Sequence, residues 1–371
     1  MEDLDKKIVG YEDNADNKNP IKKIGIIGMG RIGEALLTQI LKQIKDFPQL
    51  ENLFIYSRPN TTDEDRVDGV ITQLAPSFHD ITMANFVKHL QDLSDLSKEC
   101  DTVVITLGKR EGGGKQREDL TGQYFKDIIN IMGGIGDNNP TIFMVTNPVT
   151  PNCLIAHLYS QNEHPKIFGF TRLDHLRAKY ILNSWLQFQK KDFEETDLYV
   201  LGPHGKGLIV TGIKINGSNR IYTNYGLKDY LGTDFKHSLE ELSQDTVDYG
   251  ERTYHSTGPE GTPSVFATEI LNSLKNMSNS DRKTRDTVAM PVDLTKIYGK
   301  ELIPITPIYL SIPVIYREGI PTLDSDFKIE SIPKKYRKDL LKTLMAEEGR
   351  IKEYLMVHKN GFKKAMQHFN L

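Results

Sequence analysis

From Lys22 onward the chain alternates short apolar runs with longer amphipathic stretches. KKIGIIG, ending at Gly28, is Ile-rich with no polar alternation, the pattern of a strand buried on both faces. The next stretch places Ile32, Leu36 and Ile40 at helical spacing. NLFIYS (52–57), DTVVITLG (101–108) and TIFMVTNP (141–148) are predicted as the second, third and fourth strands, with helical stretches between them such as Gln123–Met132. Strands of this buried type alternating with helices predict an α/β fold with a doubly wound parallel sheet. Beyond Pro151 the pattern is less regular. It predicts helix over 174–190, strands at Leu198–Gly202 and Gly207–Ile215, helices at Thr223–Glu241 and Thr262–Asn276, and a strand at Ile305–Tyr316. A Lys-rich helical tail over 333–371 carries Leu340, Leu341, Leu344, Ile351 and Leu355 on one apolar stripe, its basic residues forming a solvated face.

Composition narrows the function classes. At roughly 150 residues per domain, 371 residues suggest two domains, each with its own core. A net charge of −3 and a pI of about 6.4 favour neither nucleic acid nor an anionic membrane as partner. No apolar run approaches the ~18 residues of a membrane span. The acidic start, MEDLDKKIVGYEDNADNKNP, has no apolar h-region and reads as neither secretory signal nor transit peptide. Cys100 and Cys153 match no metal spacing and no disulfide framework, so a reducing, cytoplasmic location is expected and no metal is assigned.

Chemistry enters at the first strand–helix junction. Gly28-Met29-Gly30-Arg31-Ile32-Gly33 is a G-x-G-x-x-G. The first glycine permits the tight turn, the second lets backbone approach a pyrophosphate, and the third allows close helix–strand packing at an anion-attracting helix N-terminus. These six residues, with Gly108 after the third strand, are the expected dinucleotide contacts. An NAD site usually places an acid at the end of the second strand to hold the ribose 2′-hydroxyl. Here that end reads Tyr56, Ser57, Arg58, Pro59. A hydroxyl and a guanidinium suit a 2′-phosphate, so NADP is expected over NAD, the alternative being an ordinary exposed Arg58 and NAD.

Three further segments could carry a reaction. Asn147, in TNPV at the end of the fourth strand, can face both nicotinamide and substrate. In LDHLR, Asp174 and Arg177 are three apart and share a helix face. In GPHGK, His204 sits between glycines. GKREGGGKQRED (108–119) is a basic, Gly-rich segment expected to form a mobile lid. Each feature alone has a plainer explanation, such as a turn-forming Asn or a surface ion pair; their order behind a nucleotide-binding pattern is what points to chemistry. His175 projects elsewhere on its helix and is expected to be structural.

With these motifs in this order and at comparable spacing, the sequence resembles the lactate/malate dehydrogenase family over roughly residues 22–330, continuing through GTPS (261–264) and YLSIPVIY (309–316). TRLDHLRA looks more like the malate branch. The resemblance implies a Rossmann-type dinucleotide-binding domain at 22–165 and an α+β substrate and catalytic domain at 166–330; a polar arm at 1–21 and a helical tail at 331–371 are expected outside it. The arm reads equally as disorder or as a segment packed on a partner subunit. It further implies an enzyme interconverting a small 2-hydroxy acid and its 2-keto acid, assembled as a homodimer or homotetramer. His204 matches the family's acid/base, suited by an imidazole that titrates near neutrality. Asp174 matches its orienting partner, Arg177 the carboxylate clamp, Arg117 the lid arginine that polarises the carbonyl, and Thr262 a substrate-side hydroxyl.

The lid departs from the family's pattern. Counting back from Arg117, the substrate-specificity position falls on Glu111, where malate-specific members typically carry Arg and lactate-specific members Gln. A carboxylate there would repel the second carboxylate of oxaloacetate by several kcal/mol on the order-of-magnitude scale of a dry site. Arg110 next to it, or a one-residue shift through Gly112–Gly114, would relieve the conflict. Malate/oxaloacetate is therefore favoured, with lactate-like or other 2-hydroxy acids as alternatives. Two other classes stay open: a metal-dependent NAD glycosidase that would use Cys153, and a non-catalytic dinucleotide sensor.

Overall fold

The computed structural model describes residues 21–56, 63–74, 76, 86–108, 116–162, 164–188, 196–203, 207–215, 221–222, 236–257, 263–278, 285–292, 308–317, 320–324, 327 and 334–357. The first half alternates strand and helix. In order these are β1 (Lys23–Ile27), α1 (Arg31–Lys42), β2 (Asn52–Tyr56), α2 (Asp63–Leu74), β3 (Val87–Leu90), α3 (Leu93–Glu99), β4 (Thr102–Ile105), α4 (Gln116–Ile135), β5 (Thr141–Met144), α5 (Val149–Tyr159) and β6 (Ile167–Phe170). The strands pair in parallel in the order β3-β2-β1-β4-β5-β6. This is the doubly wound arrangement expected from the apolar pattern. The order reverses between β1 and β4, where neighbouring crossovers leave to opposite faces and open a crevice at the carboxyl ends.

Side-chain alternation along these strands builds two cores. Ile24, Ile26, Val104, Phe143 and Phe168 face the cluster containing Leu36, Leu37 and Ile40 of α1. Ile27, Val103, Ile105, Ile142, Met144 and Ile167 face the other cluster, with Phe125, Ile128 and Met132 of α4 and Leu154 and Ile155 of α5. At about 1.5–3 kcal/mol for each fully buried aliphatic or aromatic side chain, burial on both faces is what fixes these strands.

The second half comprises α6 (Arg172–Phe188), β7 (Thr196–Leu201), β8 (Ile209–Ile215), β9 (Ile221–Tyr222), α7 (Leu239–Thr257), α8 (Pro263–Ser278), β10 (Arg285–Val292), β11 (Ile308–Arg317), β12 (Ile320–Leu323) and α9 (Lys334–Val357). β10, β11 and β12 extend the parallel sheet beyond β6 as antiparallel strands. β7, β8 and β9 form a separate antiparallel sheet, linked to β11 by paired backbone bonds between Gly202 and Ser311. α8 covers the same face as α1, with Ile270, Leu271 and Leu274 in the α1 cluster. The tail helix packs through Leu340, Leu344 and Ile351, with Leu341 half-buried; the side chain of Leu355 and residues 358–371 lie outside the described residues.

Several expectations are corrected. The third and fourth strands are shorter than expected, stopping at Ile105 and Met144, so 106–108 and 145–148 are loop at the carboxyl edge. The helix expected at Thr223–Glu241 does not run through 236–238. Residues 223–235 lie outside the described residues, 236–238 are not helical, and α7 starts at Leu239. Its start is set by a capping box: Glu241 N donates to Ser238 Oγ (3.1 Å) and Ser238 N donates to Glu241 Oε2 (2.9 Å). The expected lid at 108–119 is helical over 116–119, the first turn of α4, while 109–115 lie outside the described residues. β3, β6, β10 and β12 were not expected. β10 contains Pro291, yet it pairs with β6 only at Val288 and Ala289, so the proline falls where one edge of the strand is unpaired by β6.

Candidate active site

The glycine loop leaves β1 at the order reversal and bears out the stereochemistry expected of it. Gly28 has φ +96°, in the left-handed region. Its N–H donates to Tyr56 O (3.2 Å), tying the turn to β2. A Cβ on Gly33 would overlap Gly28 O and come within 3.0 Å of Thr106 Oγ1, so only glycine lets α1 approach β1 this closely. Gly30 and Gly108 have the opposite character: a Cβ on either would meet nothing within 4 Å. Gly30 is also the N-cap of α1 and supplies no side-chain cap, so the positive end of the helix opens at the crevice. A tight turn, a close helix and an open space at the second glycine together fit a dinucleotide pyrophosphate. Arg31 is exposed and Ile32 half-buried, whereas the Met29 side chain is part of the core. Ser57 and Arg58 lie outside the described residues.

Thr106, not anticipated from the sequence, locks this loop. Its hydroxyl lies 2.7 Å from Gly28 O and 3.2 Å from Ile27 O, and its N–H donates to Ile27 O (2.9 Å). The available signal was positional: a buried hydroxyl directly after the strand that neighbours the glycine loop.

Other predicted residues arrive at the same carboxyl edge. Thr146 and Asn147 follow β5, where Val145 N and Thr146 N both donate to Ile105 O. Asn147 is exposed there, while Asn152 Nδ2 supports the turn through Thr146 O (2.8 Å). α6 starts two residues after β6 and brings Asp174 and Arg177 together: Arg177 Nη1 donates to Asp174 Oδ1 at 3.1 Å. Asp174 is buried, and a Cβ on Gly250 of α7 would come within 3.2 Å of Arg177 Nη1, so α7 walls the guanidinium closely. Beyond Arg177 the seam between α6 and α7 opens into a cavity of about 550 Å³ lined by Tyr180, Ser184, Trp185, Tyr249 and Arg252. It holds none of the expected site residues.

Arg117 lies in the first turn of α4. His204 lies outside the described residues, but the neck of its segment is in place. Gly202 (φ +117°) and Gly207 (φ +111°) are so close that a Cβ on Gly202 would overlap Gly207 O. Arg110, Glu111 and Thr262 also lie outside the described residues. His175 is buried, as a structural residue should be, with Nδ1 3.3 Å from Thr287 Oγ1. Cys153 is fully buried, and burial pushes its thiol well above the usual range, so it is poorly suited to be a metal-binding thiolate.

Comparison with known proteins agrees with this geometry. Residues 22–169 match the family model for the lactate/malate dehydrogenase NAD binding domain. The malate dehydrogenase of Aliarcobacter butzleri is 26% identical over 240 residues, covering 61% of this chain and 64% of that protein. That of Pelagibacter ubique is 24% identical over 319 residues, covering 82% and 89%. A lactate dehydrogenase from a Medee basin deep-sea metagenome library superposes with a TM-score of 0.70 at 18% identity, covering 91% of this chain and 99% of that one. For a malate dehydrogenase from Plasmodium falciparum the values are 0.68, 18%, 93% and 99%. At such identities the structural likeness is one of fold. Fold, glycine loop and family model converge: residues 22–169 match the NAD binding domain of the lactate/malate dehydrogenases, and the chain as a whole is similar in fold to them.

Proposed function

We propose that the protein is an NAD-dependent oxidoreductase that interconverts a small 2-hydroxy acid and its 2-keto acid, with malate/oxaloacetate the favoured pair. The observation that carries this is the placement of a dinucleotide-type glycine loop and the Asp174–Arg177 pair on one carboxyl edge of one sheet. Bound nicotinamide supplies the hydride acceptor or donor. Arg177 keeps guanidinium N–H groups beyond the one given to Asp174 and holds the substrate carboxylate with them. His204 takes the hydroxyl proton in oxidation and returns it in reduction, oriented by the buried Asp174 carboxylate. Arg117 polarises the reacting carbonyl, and Asn147 and Thr262 line the substrate.

Malate is supported by the relatives named above and by TRLDHLRA; Glu111 speaks against it unless Arg110 compensates. The NADP preference expected from Ser57 and Arg58 rests on those two residue types, whereas the family model speaks for NAD. A cytoplasmic homodimer or homotetramer belongs to the same proposal and rests on family resemblance and cysteine usage. The test is initial-rate measurement with oxaloacetate, pyruvate and other small 2-keto acids, each with NADH and NADPH, beside His204→Asn. Turnover lost in His204→Asn supports the reaction, and the preferred pair identifies substrate and cofactor. Tight NADH binding without turnover of any keto acid would refute it in favour of a dinucleotide sensor.

A further inference from the structure

Helix α6 has two chemically distinct faces. At about 100° per residue, Arg172, His175 and Leu176 lie on one side and Asp174 and Arg177 on the other. The first side is held by two consecutive residues of β10. Arg172 Nη1 lies 2.9 Å from Asp286 Oδ2, and Arg172 Nε donates to Glu269 Oε2 of α8 at 2.8 Å. His175 Nδ1 meets Thr287 Oγ1, and Thr171 Oγ1 donates to Thr287 O at 3.1 Å. Asp286 is itself immobilised: Oδ2 also accepts from Tyr316 Oη (2.9 Å) and Ser273 Oγ (3.1 Å), and Oδ1 accepts from Thr287 N (2.8 Å). The Asp286 carboxylate is fully buried, and Arg172 is largely so. Burial works against the Arg172 charge, but Asp286 and Glu269 outweigh it and hold the guanidinium charged. Two carboxylates already occupy Arg172, so it is not an anchor for substrate.

We propose that Arg172 is a positioning residue which, clamped by Asp286 and Glu269 beside the His175–Thr287 contact, fixes the rotation and depth of α6 and so aims Arg177 and Asp174 at the substrate. This rests on the function proposed above, in which Arg177 holds the substrate carboxylate. The clamp is rotationally specific. Arg's planar fork bridges two carboxylates on different elements, which a lysine ammonium does at only one point. A few degrees of helix rotation would displace the Arg177 guanidinium, far from the axis, more than the buried backbone.

The test is a double-mutant cycle of Arg172→Lys and Arg177→Lys, reading kcat and KM for oxaloacetate and pyruvate and Kd for NADH. Arg172→Lys is expected to raise the keto-acid KM about tenfold with kcat changed less and NADH Kd unchanged, because the glycine loop stands on other elements. In the Arg177→Lys background the same substitution is expected to add less than about twofold. Thr287→Val removes only the hydroxyl that meets His175; it serves if Arg172→Lys does not fold, with the same KM-selective loss expected. An undiminished tenfold effect in the Arg177→Lys background, an equal loss of NADH affinity, or an unchanged KM would overturn the proposal. A wild type without keto-acid turnover, or Arg177→Lys without effect on KM, would instead defeat the functional reading beneath it.

Discussion

Two glycines three positions apart, Gly30 and Gly33, should respond oppositely to the same added methyl. At Gly33 a Cβ would overlap Gly28 O and crowd Thr106 Oγ1, both parts of a hydrogen-bonded turn that cannot yield independently. Relieving it means moving α1 off the sheet, at about 1–3 kcal/mol for overpacking. Alanine's better helix propensity offsets at most about 1 kcal/mol of that. At Gly30 the backbone is extended (φ −69°, ψ −174°) and the space is open. Only the poorer N-cap remains, about 0.5–1 kcal/mol. The methyl would, however, stand where backbone must approach a pyrophosphate. Losing one charge-assisted hydrogen bond there costs about 1.5–3 kcal/mol, or roughly 10- to 100-fold in Kd. Thermal melts and NADH titration by fluorescence separate the effects. Gly33→Ala should lower Tm by several degrees; Gly30→Ala should nearly keep Tm and lose NADH affinity. Wild-type NADH affinity in Gly30→Ala would refute the assignment of the open space to the cofactor.

Thr106→Val deletes the hydroxyl bonded to the Gly28 and Ile27 carbonyls; at about 1–3 kcal/mol for a buried group left unsatisfied, Tm should fall and NADH Kd should rise with it. Both cysteines are buried, and burial together with Asp101 and Glu99 pushes the Cys100 thiol up to about 12; a thiol reagent at neutral pH should label the native protein slowly and the unfolded chain quickly. Asp92 caps α3 by accepting from Ser94 N (2.7 Å), which holds its carboxyl below the usual range. A depressed pKa stabilises the fold above the unfolded carboxylate pKa of about 3.9, and that contribution is lost as pH falls through the lower folded value. Asp92→Asn should therefore flatten the acid limb of Tm against pH, and an unchanged limb would contradict the cap.

Much of this molecule was legible in its local patterns. The Ile-rich run before Gly28, the apolar strands at 102–105 and 141–144 and the α1 stripe at Leu36 and Ile40 are set by burial on two faces of a parallel sheet, which leaves its mark within a few residues. So does the glycine loop at Gly28 and Gly33, where a left-handed turn and a close helix–strand approach demand glycine. The start of α7 was legible too: Ser238 and Glu241 spell a capping box that the apolar pattern alone passes over. β3 was hidden because Val87-Lys88-His89-Leu90 lies at the sheet edge and carries polar residues with no apolar run.

What the sequence by itself determined, then, is the doubly wound half, the tight glycine loop and the shared helix face of Asp174 and Arg177. Only the tertiary structure decided which distant groups hold them. Thr106 finds Gly28 because β4 pairs with β1, and Arg172 finds Asp286 because β10 pairs with β6. No local window contains such information. A buried charge is tolerable only where its partner arrives, and strand order, a property of the whole chain, determines that arrival.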